Sequence, residues 1–178
     1  MNKPFHNRLA GSVMVEFAGA LILLLLLIFG ISEIGRAIYQ LNTLTKSVEA
    51  GARYMSRVVG AVTFNPTAGS SDEQCLTTNA VWTSAVERAT NIVLYGTETA
   101  GTTTRLPNME VTSISVVPRL DSELGGGGAC VIKISARARF SSIFGGSTPL
   151  PPPIYSQGGV GPGGLIFTAD AEERYLGE

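Results

Sequence analysis

Residues 13–31 read VMVEFAGALILLLLLIFGI, an apolar run interrupted by a single charge, Glu16. A helix of about 20 apolar residues spans the hydrocarbon core of a bilayer. Residues 23–28 are all Leu or Ile. That stretch has no polar face, which disfavours a buried core helix of a soluble domain. Lys3 and Arg8 precede the run, and the next basic residue is Arg36. Positive charge on the short N-terminal flank predicts that this end stays in the cytoplasm and the long C-terminal part is exported. A cleaved secretory signal competes with this reading, because Gly30-Ile31-Ser32 offers a small-x-small site that would leave Glu33 as the first residue. Against it, the run is longer than a usual signal core, and the helical pattern continues through the site.

Beyond the run, Ile34, Ile38, Leu41, Thr45, Val48, Ala52, Met55 and Val59 recur at alternating spacings of four and three. This is one stripe along a helix face. No proline falls between Pro4 and Pro66. A continuous helix is therefore predicted over 12–59, transmembrane over about 13–31 and amphipathic above. Such a helix is roughly 70 Å long. The stripe is either a coiled-coil seam between subunits or a docking face for the chain's own C-terminal domain. Docking is favoured, since four imperfect heptad steps are few. Glu49 and Arg53, four apart, are expected to pair on the exposed side.

The rest of the chain predicts an exported α+β domain over 60–178. Residues 79–95 carry Val81, Trp82, Ala85, Val86, Ala89, Ile92 and Val93 on one helical face, with Asn79 or Thr78 as cap and Gly96 as stop. Residues 109–117 read as a strand. Residues 129–140 read as a clearer one, with Cys130, Ile132, Ile134, Ala136, Ala138 and Phe140 on one side and Lys133, Arg137 and Arg139 on the other. A hairpin loop over 121–128 joins them, and a last strand is predicted over 165–175. A Pro/Gly-rich loop occupies about 145–164.

Composition narrows the function. Charged residues are 15% of the chain, well below the roughly 25% of ordinary soluble domains. Thirteen basic against fourteen acidic residues give a net charge of -1. That balance opposes a nucleic-acid binder, which carries a basic field. One histidine and two cysteines leave too few ligands for a zinc site. No spacing ties the acidic residues into a catalytic constellation. The expectation is therefore no enzyme, no metal and no cofactor. The glycines at 125–128 lack the lysine of a phosphate loop.

Glu16 stands out. A carboxylate inside an apolar span costs about 2.5–3.5 kcal/mol on insertion scales, less near the interface. It either rests at headgroup depth or meets a positive partner. Gly11 directly precedes the apolar run, Glu16 lies five residues after Gly11, and Phe17 follows it. This resembles the processing site of type IV pilin-like proteins of the Flp/Tad class. Phe29-Gly30-Ile31-Ser32-Glu33-Ile34-Gly35-Arg36 and Glu49-Ala50-Gly51-Ala52-Arg53-Tyr54 resemble the blocks of the TadE-like family, with Ala50 inserted in the second.

The resemblance implies a leader over 1–11, cut by a prepilin peptidase between Gly11 and Ser12. It implies an assembly role for Glu16 and Phe17, and a pilin-like fold in which the long helix covers a small antiparallel sheet. It also implies a minor pilin or pseudopilin of the tight-adherence pilus. The expected partners are the membrane, the prepilin peptidase, the major Flp pilin, other minor pilins and the Tad inner-membrane assembly platform, and no nucleic acid. The expected location is the bacterial inner membrane, single-pass, with incorporation into an extracellular pilus left open. Cleavage would create an α-amine at Ser12, and a carboxylate and an ammonium in a water-poor core offset each other's burial cost. The alternative is a bitopic, membrane-anchored binding module or adhesin outside any filament. Cys75 and Cys130 both fall in the exported part, an oxidising setting. They are either disulfide-bonded or two buried thiols.

Overall fold

The computed structural model describes residues 7–65, 75–77, 79–106, 110–121, 129–142 and 165–177. Helix α1, Asn7–Met55, is a single run of 49 residues, about 74 Å long at 1.5 Å per residue. Its lower part, from Gly11 to Phe29, is exposed throughout, and its upper part is the spine of a small domain. That domain holds β1 (Thr63–Phe64), β2 (Cys75–Leu76), α2 (Ala80–Tyr95), β3 (Glu110–Asp121), β4 (Ala129–Arg139) and β5 (Ile166–Arg174). Strands β3, β4 and β5 form an antiparallel sheet with β4 in the centre. The architecture is α+β, with a long apolar helix, a second helix and small antiparallel sheets.

The inner face of β4 is Ile132, Ile134, Ala136 and Ala138, all fully buried beneath the helices. Small residues at 136 and 138 let a helix approach the strand backbone. From α1 come Leu44, Val48, Ala52 and Met55, and from α2 come Ala85, Ala89 and Val93. Phe140 closes the core edge-on to Phe167 on β5, ring centroids 5.9 Å apart. Asn79 caps α2 by accepting from the Trp82 amide at 2.6 Å, and Gly96 ends it in the left-handed region, φ 79°.

Three local readings change, and the sheet carries one irregularity. The helix stops at Met55 rather than Val59, because Arg57 and Val58 donate to carbonyls only three residues back, a tightened last turn. Gly60 then turns the chain at φ 73°. Strand β3 runs on past Val117 to Asp121. Pro118 is tolerated there because β3 is an edge strand. Between Val111 and Ser113 the β3–β4 register shifts, and Thr112 donates its hydroxyl to the Arg137 carbonyl at 3.2 Å. Finally, Arg53 pairs with Glu173 on β5 at 3.6 Å rather than with Glu49, since the docked sheet brings that carboxylate alongside. The expected loops over 121–128 and 145–164 fall almost wholly outside the described residues.

Candidate membrane and assembly site

The lower part of α1 is the only helix among the described residues long and apolar enough to cross a membrane, and none of that apolar window is buried. Leu, Ile and Phe side chains from Phe17 to Ile31 are all more than 40% exposed. A surface of this kind is costly in water and favourable in lipid. Among the described residues, this one helix supports single-pass membrane anchoring.

Gly11, Ser12, Glu16 and Phe17 all lie on this free part of the helix and are exposed. Nothing lies within 4 Å of a Cβ built on Gly11. Ser12 and Glu16 are four apart, one turn up the same face. An α-amine at Ser12 would therefore sit one turn from the Glu16 carboxylate of its own chain. The neighbouring faces stay open to other chains. Cys75 and Cys130 sit elsewhere, joined by a disulfide with Cα atoms 5.9 Å apart. It ties β2 to the start of β4, far from the lower helix.

The stripe read from the sequence divides in two. Val48, Ala52 and Met55 are fully buried, but Ile34 and Ile38 are 58% and 56% exposed. Below Val48 the docking face is instead Glu33, Gln40, Leu44 and Ser47, all buried. Much of this face is polar, so a search for apolar periodicity passes over it. Each of its polar side chains makes at least one hydrogen bond. Gln40 exchanges hydrogen bonds with the Ser141 backbone, donating to its carbonyl at 3.3 Å and accepting from its amide at 3.5 Å. The Ser142 hydroxyl donates to Glu33 Oε1 at 3.0 Å, and Ser47 donates to the Thr43 carbonyl at 2.8 Å. A buried carboxylate needs such donors. Glu33, placed only in a motif by sequence reasoning, is thus a clasp between the top of the apolar span and the end of β4.

Residues 11–53 match the family model described as TadE-like protein. Helix α1 carries a TadE-like segment. The match starts at Gly11, takes in the whole apolar span and stops two residues short of the helix end. No curated protein and no solved structure matches the chain. The TadE-like family is a pilus-related one, and the match to it lies within helix α1.

Proposed function

We propose that the chain is a TadE-like minor pilin, or pseudopilin, that takes part in assembling the Flp/Tad pilus. In this reading the bacterial inner membrane holds the precursor, with the N-terminus cytoplasmic and the domain exported. A prepilin peptidase cuts between Gly11 and Ser12. The helix then leaves lipid for a filament core or an assembly complex, where Glu16 meets a Ser12 amine and Phe17 packs beside it. The partners are the major Flp pilin, other minor pilins and the Tad platform.

One observation carries the proposal. The apolar part of α1 stands clear of its own domain, yet the same helix continues without a break as that domain's spine. A bare anchor needs no such rigid join. A subunit whose helix must be drawn out of lipid together with its domain does.

The test is to look for the chain in pili sheared from cells, with and without active prepilin peptidase. The expected result is peptidase-dependent recovery with the pili, and loss of that recovery for Glu16→Ala while its membrane level holds. A chain that stays wholly in the membrane and never associates with pili supports the anchored binding module instead. Normal assembly by Glu16→Ala removes the role given to that carboxylate.

A further inference from the structure

The apolar surface of α1 ends at different heights on its two sides. Between Phe17 and Thr45 the only charges are Glu33 and Arg36. Arg36 lies three beyond Glu33 and four short of Gln40, so both charges fall on the face that the domain covers, where Glu33 and Gln40 are buried. The face turned away from the domain holds Ile34, Ile38 and Leu41, 58%, 56% and 38% exposed. Glu16 lies about five turns below Ile34, and so on this same free face. The free face is therefore without charge from Phe17 to Leu41, a length of about 36 Å, and it turns polar at Asn42 and Thr45. On the domain side the stretch without charge runs from Gly11 to Ser32. The two stretches are staggered by about two turns at the upper end, and in the same sense at the lower end.

We propose that α1 crosses the membrane obliquely, with its free face as the underside, so that phospholipid of the outer leaflet covers Ile34, Ile38 and Leu41. A bilayer core is about 30 Å thick, and an apolar stretch longer than the core is accommodated by tilting. A tilted helix meets both membrane planes at staggered heights on its two sides, and the stagger has the sense seen here. A square crossing up to Ile31 would instead leave Ile34 and Ile38 in water and Glu16 in hydrocarbon. Lipid is the occupant because this strip continues the free span with no charge between them, and the span is the part of the helix already suited to lipid. The same tilt brings Glu16, on the underside, to the cytoplasmic headgroups, where the cost of its charge is smallest. Tyr39 and Lys46, both exposed and seven apart on one flank, put a phenol and an ammonium at the outer headgroups, as membrane anchors do. The domain rides on the upper side. There Glu33 leaves the membrane first and meets the Ser142 hydroxyl rather than lipid. The inference depends on the span entering a membrane and not on the pilus reading.

The test is fluorescence quenching of a single tryptophan in the full-length chain, on a Trp82→Phe background. The chain is placed in vesicles of phosphatidylcholine and phosphatidylglycerol with acyl chains brominated close to the headgroup. Bromine quenches from within lipid and iodide from water. The tryptophan replaces Ile38, Ile31 as the lipid control, Val59 near the top of the domain as the water control, or Ile166. Gln40 donates to the Ser141 carbonyl and the Phe140 amide to the Leu165 carbonyl, so Ile166 stands near the height of Gln40 on the domain side. Ile38→Trp should be quenched by bromine nearly as strongly as Ile31→Trp and several-fold more than Val59→Trp or Ile166→Trp, and iodide should spare it. Quenching of Ile38→Trp by iodide alone would put the face in water, and protection from both quenchers would put a protein on it. Bromine quenching of Ile166→Trp as strong as that of Ile38→Trp would mean deep insertion without tilt. Each of these overturns the proposal, and failure of bromine to reach Ile31→Trp overturns the membrane reading with it. The unaltered chain gives a second readout that does not depend on the Trp82→Phe background. A phospholipid carrying a diazirine close to its headgroup should attach at Ile38 or Leu41 as well as within the span, and attachment confined below Ser32 overturns the proposal.

Discussion

Gly51 of α1 faces Val93 of α2 so closely that a Cβ added to Gly51 would lie 2.9 Å from Val93 Cγ2. The same Cβ would stand 3.4 Å from Ile134 Cδ1 and 3.5 Å from the Ala89 carbonyl oxygen. Three elements meet at this one missing side chain. Ordinarily Gly→Ala inside a helix is stabilising by about 1 kcal/mol. Here overpacking should outweigh that gain, because Val93 is short, stiff and itself buried. Gly51→Val should lose about 1–3 kcal/mol. A double-mutant cycle of Gly51→Ala with Val93→Ala should show coupling of about 0.5–3 kcal/mol, read by urea unfolding of the chain in detergent. Additivity of the two changes would remove the contact from the account.

Tyr175 locks the C-terminal strand to the chain leaving α1. Its hydroxyl accepts from the Ala61 amide at 3.0 Å and lies 2.7 Å from the Val58 carbonyl and 2.9 Å from that of Gly177, to either of which it can donate. Around it, the Leu176 amide donates to Ser56 and the Gly60 amide to Gly177. Tyr175→Phe keeps the ring and strands these buried groups, at a cost of about 1–3 kcal/mol. Thermal unfolding should fall accordingly, and hydrogen exchange at Ala61 should speed up.

The disulfide closes a loop between residues 55 apart in sequence. A cross-link over such a loop contributes up to about 4 kcal/mol by restricting the unfolded chain. Intact mass should rise by two hydrogens on reduction, and the Cys75→Ser, Cys130→Ser chain should unfold at lower denaturant. Two free thiols in the oxidised protein would contradict the structure.

Ser142→Ala tests the clasp beneath the domain. It removes a 3.0 Å donor from the buried Glu33 carboxylate, which should cost about 1–3 kcal/mol. The loss should be local, seen first as faster proteolysis near Ser141 and Ser142 in membranes. Ser142→Thr, which keeps the hydroxyl, should restore much of the protection.

Much of this arrangement was legible in the sequence because each element had a clean period. The apolar span, the Asn79 and Gly96 stops of α2 and the alternation of β4 all follow from residue type and spacing. The two-residue strands β1 and β2 were not legible, since two residues carry no alternation. Pro118 hid the end of β3, because only the sheet order shows that the strand is at an edge. The docking face of α1 was missed for a different reason. Glu33, Gln40 and Ser47 are polar, and they are buried only because Ser141, Ser142 and the Thr43 carbonyl, some of them about a hundred residues away, satisfy them. The neighbouring apolar row drew the reading instead, and in its lower half that row is bare.

The central claim is that α1 is a pilin-type helix whose mature form begins beside Glu16. The most direct measurement is the N-terminal sequence of the chain recovered from the cell envelope. The account predicts a start at Ser12. A start at Met1 would contradict processing and leave a plain anchored protein, while a start at Glu33 would remove the span and the role of Glu16 with it.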